Sequence, residues 1–381
     1  MKILFLTNQL AIGGIEKNIV RLTKELHARG HDVWTASSGG SLVPELIQSG
    51  GRHVDIDFSP RRLPRSILAL TRLMRHEAPD VVHVFSASSA ITWRLSRIAL
   101  RATNGGVGIP PAVCSVMGLQ NSPDERSWRT HARVLVTTLG SQRVIIMAPA
   151  IDDVVVRLPI SPDRLIRMSV VGVVVPSDLN HLPQLRDEVR KELGISPDGQ
   201  VVMTIGNLEP RKSHELFVRA AGRVAATNPT AQFFIAGEGY LRPKIKEEIL
   251  ATPDPHRVRM LGARHDIERL LAACDVYVRP GIVEGFIGIT VMEAQALARP
   301  VVAFDLADVR LAIENGVTGT LVPLGDYVAL ATAIQDLLED RALARRLGQA
   351  GRRHVGTHYS MTAIVDALLK LYGDLLKVGA M

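Results

Sequence analysis

The chain has 381 residues, of which 46% are hydrophobic and 22% charged, so it is long enough to bury the cores of two ordinary globular domains. Its two cysteines, Cys114 and Cys274, lie far apart in apolar surroundings, which argues against a disulfide scaffold or zinc site and favours a reducing cytoplasm. Residues 1–6 are too few for a signal peptide, and the longest uncharged stretch, 102–123, is broken by Gly, Pro and Asn and is not expected to span a membrane.

The positive charge lies in the first half of the chain. Residues 1–180 carry 21 Lys and Arg against 14 Asp and Glu, whereas the remainder carries 24 of each kind, so the first half holds the whole formal charge of +7. Such a field favours an anionic partner, for example a membrane surface, although a solvated basic surface is the alternative. The aromatic content of 4% does not favour a nucleic-acid stacking platform, and no nucleic-acid partner is expected.

The first half alternates short apolar strands with helices. A helix is expected over residues 16–28, where apolar residues recur at helical spacing until Gly30. Strands are predicted at residues 2–7, 31–36, 80–85, 112–116 and 143–147. Strands that alternate with helices indicate a parallel, doubly wound sheet.

The same alternation restarts after the polar segment 176–187. Strands are predicted at residues 201–205, 232–236, 258–261, 275–279 and 300–303, and helices at 215–226, 326–338, 342–355 and 361–376. The fold class expected is therefore α/β, with two Rossmann-like domains, 1–180 and 181–360, and a final helix in 361–381 that could return to the first domain. Ligands of such folds bind beyond the carboxyl ends of the strands, which here predicts a site in a central cleft between the domains.

A glycine pair opens the first predicted helix. Gly13 and Gly14 allow the backbone of the loop 8–16 to approach a ligand closely. The loop lacks both the G-x-G-x-x-G pattern of dinucleotide cofactors and the lysine of phosphate-binding loops. A tight turn, with Glu16 placed favourably in the first helical turn, is the alternative interpretation.

Two adjacent cations follow the first strand of the second half. Arg211 and Lys212 lie in the loop 206–214, between a predicted strand and a helix. Cations at that position would stabilise the negative charge that develops on a departing nucleoside diphosphate. Ordinary surface charge is the alternative.

Two glutamates flank the predicted start of a later helix. Glu284 lies in a Gly-rich loop and Glu293 one turn into the helix. A helix N-terminus suits phosphate, whereas carboxylates suit the neutral hydroxyls of a sugar and a ribose, so the combination predicts a nucleotide-sugar site. The alternatives are a capping box formed by Thr290 and Glu293 and a solvated loop acid at Glu284.

Glycine-containing loops follow two further strands of the second half. Gly237 and Gly239 follow the strand 232–236, and Gly262 and Arg264 follow the strand 258–261. Both loops are expected at the same carboxyl edge of the sheet, where a nucleotide would lie. Tight turns are the alternative interpretation.

The chain resembles the retaining GT-B glycosyltransferases of the family 4 type over nearly its whole length. The resemblance is strongest between residues 201 and 323, in the pieces IGNLEPRKSHELFVRAA, FFIAGEGYLR and EGFIGITVMEAQALARPVVAFD. It implies transfer of a sugar, with retention of configuration, from a UDP- or GDP-linked donor that is a substrate, with no cofactor and no bound metal.

The resemblance also assigns roles to particular residues. Lys212 would contact the diphosphate, Glu284 the transferred sugar and Glu293 the ribose hydroxyls. The expected catalytic residues are Lys212, Glu284 and Arg211. The expected donor-binding residues are Gly13, Gly14, Asn207, Gly237, Arg264, Gly285, Phe286, Gly288, Ile289, Thr290 and Glu293.

The sequence departs from the family pattern at three places. Eight residues separate Glu284 from Glu293 where the family usually has seven, so the loop must bulge or the helix must start later. Asn207 stands where an arginine is common, and Met117 stands where a first-domain histidine is common. A side-chain acid or base at Met117 is therefore not expected, which retaining enzymes tolerate if the donor phosphate takes the acceptor proton.

The acceptor is expected in the first domain. Residues 61–76 form a basic amphipathic pattern that suits an anionic membrane surface, although its apolar face could instead pack on the parent sheet. Trp93-Arg94 and residues 126–129 add aromatic and cationic groups. A glycan or lipid-linked acceptor made at the inner membrane face, in envelope or exopolysaccharide synthesis, is the leading hypothesis. A nucleotide-sugar epimerase or hydrolase and a non-catalytic sugar-nucleotide-binding protein are the alternatives.

Overall fold

The computed structural model describes residues 1–11, 13–104, 108–116, 128–138, 140–147, 154–155, 157–283 and 288–379. Its internal contacts divide the chain into two compact units. The first unit comprises Met1–Gly172 with Met361–Met381, and the second comprises Val173–Ser360. The division therefore falls shortly before the boundary expected at residue 180.

The first unit is built around a seven-stranded parallel sheet in the order β3-β2-β1-β4-β5-β6-β7. The strands are β1 (Lys2–Leu6), β2 (Asp32–Ser37), β3 (Arg52–Asp55), β4 (Val81–Val84), β5 (Ala112–Val116), β6 (Arg143–Ile146) and β7 (Leu165–Arg167). The helices between them are α1 (Gly14–Ala28), α2 (Val43–Gln48), α3 (Leu63–Glu77), α4 (Ala87–Asn104) and α5 (Trp128–Thr138).

The second unit repeats this plan with a six-stranded parallel sheet in the order β10-β9-β8-β11-β12-β13. The strands are β8 (Gln200–Ile205), β9 (Ala231–Ala236), β10 (Val258–Gly262), β11 (Val276–Arg279), β12 (Val301–Phe304) and β13 (Thr320–Val322). The helices are α6 (Leu182–Glu192), α7 (His214–Thr227), α8 (Arg242–Leu250), α9 (Ile267–Ala273), α10 (Ile289–Ala296), α11 (Tyr327–Glu339) and α12 (Arg341–His358).

The predicted pair of doubly wound parallel sheets is confirmed. In each sheet the strand order reverses beside the first strand, between β1 and β4 in the first unit and between β8 and β11 in the second. Loops diverge at such a reversal and leave a crevice beyond the carboxyl ends of the strands, where ligands of this fold class bind.

Three strands, β3, β7 and β13, were not predicted from the sequence. Each has three or four residues, and most of their side chains are half-buried or exposed. A strand on which one face meets solvent lacks the continuous apolar run of a buried strand, so these segments gave no clear periodic signal.

The apolar face of α3 packs inside its own unit, as the alternative interpretation proposed. Leu70 and Met74 are buried in the core cluster of the first sheet. Trp93 on α4 belongs to the same core, with no exposed surface, and its indole Nε1 donates to the carbonyl oxygen of Gly140 at 3.2 Å. The expectation of Trp93 as an interface residue is wrong, because the helix buries that face. Residues 126 and 127, and the side chains of 128–130, lie outside the described part of the chain.

The last helix, α13 (Met361–Gly379), packs in the first unit. The hydroxyl of Tyr372 lies 2.6 Å from Nδ1 of His83 on β4, and the other ring nitrogen of His83 lies 2.7 Å from the hydroxyl of Ser115. His83 is fully buried and stacks on Phe85 with ring centroids 4.2 Å apart. Burial lowers the pKa of His83 to about 3, so the ring is neutral in the folded protein.

No helix in the described residues combines the length and apolar character that crossing a bilayer requires.

We expect the burial of His83 to make the first unit sensitive to acid. The unfolded chain takes up a proton on this ring near pH 6.5, whereas the folded chain does so only near pH 3. The free energy of unfolding therefore falls as the pH drops below 6.5, by up to about 1.4 kcal/mol per pH unit for this group. Thermal unfolding followed above and below pH 6.5 should show a smaller acid shift for His83→Gln than for the wild type.

The control for this measurement is His256→Gln, which changes an exposed histidine shortly before β10. His256→Gln should leave the acid shift as in the wild type. An equal acid shift in His83→Gln and the wild type would contradict the assignment.

Candidate functional site

The candidate site of the second unit lies where β8, β9 and β11 end. These parallel strands are neighbours in the order β9-β8-β11, so the residues that follow them share one edge of the sheet. Because the strand order reverses between β8 and β11, the loops after these two strands border a crevice.

Close backbone contact joins the loops after β8 and β9. A β-carbon on Gly237 would lie 1.9 Å from the carbonyl oxygen of Gly206, and one on Gly239 would lie 2.5 Å from the carbonyl oxygen of Leu208. The amide of Leu208 in turn donates to the carbonyl of Glu238 at 2.9 Å. Glycine is required here because any side chain would push the two loops apart.

A short turn presents Lys212 beside these loops. Pro210–Lys212 form a single 3₁₀ turn, and the next residue, Ser213, has the left-handed backbone angles φ 46° and ψ 46°. This conformation costs a non-glycine residue about 1–2 kcal/mol. The amide and hydroxyl of Ser213 both donate to the carbonyl of Pro210, at 3.1 and 3.0 Å, and so help to hold it in this conformation.

The ammonium group of Lys212 is partly desolvated. Its stem passes Gly206, where a β-carbon would lie 3.7 Å from Cδ and Cε of the lysine. Burial lowers the pKa of Lys212 to about 8, and the nearby charges of Arg211 and Arg279 act in the same direction. An anion bound at this position would compensate these cations.

Arg211 and Asn207 share one carboxylate. Nε of Arg211 donates to Glu209 at 2.8 Å, and the amide nitrogen of Asn207 donates to the other oxygen of Glu209 at 3.0 Å. Both side chains are exposed at the loop surface. Glu209 therefore orients both Arg211 and Asn207. Asn207 is the residue that stands where the family commonly has an arginine.

Arg279 is a site residue that sequence analysis missed. It ends β11 with only 9% of its surface exposed, and its guanidinium donates to the carboxylate of Asp308 at 3.1 Å and to the carbonyl of Gly281 at 3.3 Å. The sequence feature that could have identified Arg279 is its position as the charged last residue of the otherwise apolar strand 276–279. Its partner follows the next strand, β12, and the sequence pattern does not show this pairing.

Helix α10 begins beside Arg279. Its N-cap is Gly288, where a β-carbon would lie 3.6 Å from Nε of Arg279. Ile289 and Thr290 are the first two helical residues, so Thr290 is not the N-cap and the capping-box alternative is wrong. The unpaired backbone N–H groups of the first turn of a helix favour an anion at this position.

Glu293 lies in the second turn of α10, next to Tyr277 on β11. The side chain of Thr290 is within hydrogen-bonding reach of the buried Tyr277 hydroxyl, which also lies 3.5 Å from the carbonyl of Ile205 at the end of β8. Burial raises the pKa of Tyr277, and the nearby charge of Glu293 adds to this effect. The start of α10 is thus tied to the ends of both central strands.

Three residues of the predicted site, and Met117 of the first half, are not among the described residues. The three site residues are Glu284, Gly285 and Phe286. The predicted roles of Glu284, Gly285 and Phe286 stay predictions.

Arg264 is engaged in an ion-pair network. Its guanidinium donates to both oxygens of Asp266, at 2.7 and 2.6 Å, and to Glu192 on α6 at 3.0 Å. These contacts tie the loop after β10 to α6. The donor-binding role expected for Arg264 stays a prediction.

Gly13 and Gly14 lie at the carboxyl edge of the first sheet. Gly13 is the N-cap of α1, and Gly14 is its first residue. A β-carbon on Gly13 would lie 2.2 Å from a carboxylate oxygen of Glu16, and partial burial raises the pKa of Glu16. Gly13 leaves room for this carboxylate, which supports the tight-turn interpretation of the loop without testing the donor contact.

The arrangement in the second unit favours a phosphate-bearing ligand. Three cations, Lys212, Arg211 and Arg279, lie near the N-terminus of α10, together with the carboxylates of Glu209 and Asp308, while Glu293 lies one turn further along the helix. Within the described ranges no group of three or more His, Cys, Asp or Glu side chains is placed to hold a metal ion.

Two family models match the chain. The model for glycosyl transferases group 1 matches residues 186–354, and the model for glycosyltransferase family 4 matches residues 12–168. The two models together span most of both units, and both sheets have the strand order described above. The chain belongs to the GT-B glycosyltransferases of the family 4 type.

Curated relatives of this glycosyltransferase match most of its length. A D-inositol 3-phosphate glycosyltransferase from Geodermatophilus obscurus is 27% identical, over 94% of this chain and 84% of the relative. A phosphatidyl-myo-inositol mannosyltransferase from Mycobacterium leprae is also 27% identical, over 97% of this chain and 95% of the relative.

Solved structures show the same fold. The Anabaena protein HepE in complex with UDP superimposes with a TM-score of 0.83, at 20% identity, over 98% of this chain and all of that chain. The predicted GT-B fold is therefore confirmed.

The contact between Gly206 and Gly237 leads to a direct prediction. We expect Gly237→Ala to destabilise the second unit, because the new β-carbon meets a backbone carbonyl that cannot rotate away. The matched control is Gly316→Ala, which imposes a left-handed φ of 74° on alanine but meets no atom within 4 Å. Thermal unfolding should show Gly237→Ala to be less stable than the control by about 1–3 kcal/mol. Equal stability of the two variants would contradict the requirement for glycine at this contact.

Proposed function

We propose that this protein is a retaining, metal-independent glycosyltransferase that moves a sugar from a UDP- or GDP-linked donor to a glycan or lipid-linked acceptor. The single observation that carries the proposal is the convergence of Lys212 and Arg279 with the N-terminus of α10 at the strand-order reversal. A nucleoside diphosphate matches this site in charge. The UDP complex of HepE, which has the same fold, supports a uridine nucleotide as one candidate.

Each part of the site has a distinct role in the proposed donor complex. Lys212 and Arg211 would contact the diphosphate, and the amides at the start of α10 would contact its phosphate oxygens. Glu293, one turn further along the helix, would accept hydrogen bonds from ribose hydroxyls. Arg279 would add positive charge beside the N-cap of α10, and its ion pair with Asp308 fixes its orientation.

The chemistry would depend on stabilising the leaving group. The bond between the anomeric carbon and the diphosphate oxygen breaks, and its electron pair stays on that oxygen. Lys212 and Arg211 favour this step because the negative charge grows next to them. The acceptor hydroxyl attacks from the face that the diphosphate leaves and passes its proton to a donor phosphate oxygen, which gives retention without a side-chain base.

A lipid-linked acceptor at the cytoplasmic side of the membrane fits the exposed surface of the first unit. On α3, Arg65, Leu68 and Arg72 are exposed, and on α4 the exposed residues include Arg94 and Ile98. Leu68 and Ile98 leave 51% and 54% of their surfaces exposed among these arginines. Arginine mixed with exposed apolar residues suits an anionic bilayer surface. The name of one relative, a phosphatidyl-myo-inositol mannosyltransferase, contains a lipid, which supports a lipid-linked acceptor.

The donor proposal predicts which ligands stabilise the protein. In a thermal-shift panel of UDP-, GDP- and ADP-sugars, at least one should raise the unfolding temperature of the wild type. Lys212→Ala should weaken binding of that donor about 10- to 100-fold, because a charge-assisted contact to phosphate is lost, and should reduce turnover. Lys246→Ala, an exposed lysine of the same unit, should leave both unchanged.

The pH dependence separates the role of Lys212 from general destabilisation. Because the pKa of Lys212 is about 8 without ligand, donor affinity of the wild type should fall as the pH rises above 8. Lys212→Arg keeps its charge at that pH and should lose this dependence. Absence of nucleotide binding in the wild type would contradict the proposal, and nucleotide release that does not require an acceptor would indicate a hydrolase instead.

The membrane proposal predicts salt-sensitive binding to anionic vesicles. The wild type should float with vesicles that contain anionic lipid at low salt and should not float with zwitterionic ones. Arg65→Glu/Arg94→Glu should weaken flotation at least about tenfold, because each basic residue near such a surface contributes about 1 kcal/mol. Arg223→Glu, at an exposed position of the second unit, is the control. Failure of the wild type to bind at low salt would contradict membrane docking.

A further inference from the structure

A cavity lies at the edge of the second sheet opposite to the candidate donor site. Its volume is about 790 Å³, and its wall includes Gly199, Asp275 and Pro300. These residues directly precede β8, β11 and β12, so the cavity lies at the amino ends of strands whose carboxyl ends carry the donor site. The other walls come from α6, from the end of α11 and from the start of α12.

Asp275 holds two arginines in the wall of this cavity. Its two oxygens accept hydrogen bonds from Arg186 and Arg190 on α6, both at 2.5 Å, and one of them also accepts from the amide of Val201 at 2.7 Å. Arg190 donates further to the carbonyl of Gly199 at 2.8 Å. The carboxylate thus accepts three hydrogen bonds, and the two guanidinium groups are held in place.

Arg299 adds a third guanidinium group beside Asp275. Arg299 lies near Arg186 and Arg190, and its buried Nε has no hydrogen-bond partner among the described residues. Burial lowers the pKa of Arg299, and the charges of Arg186 and Arg190 act in the same direction. Three guanidinium groups therefore crowd a single carboxylate, an arrangement that a bound anion would stabilise.

Three more cations line the rim, and two carboxylates oppose them. Arg341 and Arg345 are exposed one turn apart at the start of α12, and Lys191 is exposed at the end of α6. Asp187 and Asp198 are the other acidic residues of the wall. The lining thus carries six cations against three carboxylates, which favours a ligand with more than one negative charge.

Part of the wall is apolar. Ile195, Pro300, Leu337, Leu338 and Ala344 line the cavity together with the arginines. A cavity of this size suits an organic molecule rather than a bare ion, since small-molecule sites usually measure several hundred Å³. Apolar side chains beside a cationic rim match a molecule with an organic body and a charged phosphate end.

We propose that this cavity is a second ligand site of the protein, separate from the donor site, and that it binds a small organic phosphate. The phosphate or diphosphate contacts Arg299, Arg341 and Arg345, and the organic part packs on Leu337 and Pro300. Asp275 acts as a positioning residue because it fixes Arg186 and Arg190. This site is independent of the sugar-transfer proposal, since none of its residues is assigned to donor binding.

The test is calorimetric titration of the full-length protein with UDP and with inorganic pyrophosphate. The Lys212→Ala variant weakens the donor site about 10- to 100-fold, so a binding event in this variant that also depends on the cavity arginines reports on the cavity. We expect Lys212→Ala to retain one binding event, and UDP to bind more tightly than pyrophosphate because it adds an organic part. Adding Arg341→Gln and Arg345→Gln should then weaken the surviving event at least about tenfold.

The matched control adds Arg346→Gln and Arg353→Gln to Lys212→Ala instead. These arginines are exposed on the same helix but do not line the cavity, so the charge change is equal and the position differs. The control should bind as Lys212→Ala does. Loss of all binding in Lys212→Ala, or equal weakening in the two triple variants, would overturn the proposal. Arg299→Gln adds a third measurement and should weaken the same event if it remains folded by circular dichroism.

Discussion

The second unit depends on holding like charges together at one edge of a parallel sheet. Lys212 follows β8 and Arg279 ends β11, and these neighbouring strands place the two cations close enough for Arg279 to lower the pKa of Lys212. Asp308 forms an ion pair with Arg279, and the charges of Glu209 and Asp308 offset only part of the effect that burial and the two arginines have on the pKa of Lys212. Such an arrangement costs stability in the free protein and favours binding of an anion, which is the energetic basis of the proposed donor site.

Rigid local structure makes this arrangement possible. The glycine contact between the loops after β8 and β9 leaves no room for side chains, and Ser213 accepts a strained backbone so that the turn before it presents Lys212. Strain of this kind persists only where surrounding contacts determine the conformation, and it concentrates at functional sites. The same strands run from this edge to the proposed phosphate cavity at their amino ends, where Asp275 holds two arginines and the start of β8.

Much of the fold and part of the site could be predicted from the sequence. The long buried strands and the positions of Lys212, Gly237 and α10 follow from apolar runs, glycine-containing loops and family motifs. The pairing of Arg279 with Asp308 did not follow, because the two residues are 29 positions apart and meet only when β11 and β12 lie side by side. The helix 61–76 illustrates the same limit, since its pattern does not show which of its apolar residues enter the core. Leu70 and Met74 are buried there, whereas Leu68 stays exposed.

The sequence by itself determined the class of fold, the family and the residue types of the proposed donor site, because these depend on local periodicity and on motifs that lie within short stretches of chain. Only the tertiary structure decided where the positive charge of arginine and lysine side chains exceeds the negative charge of the carboxylates around them. Arg299 and Arg190 lie far apart in sequence and join one cavity through the packing of α6, α11 and α12 on the sheet. Burial and the distance between charges set the electrostatics of a site, and both quantities exist only once the chain has folded.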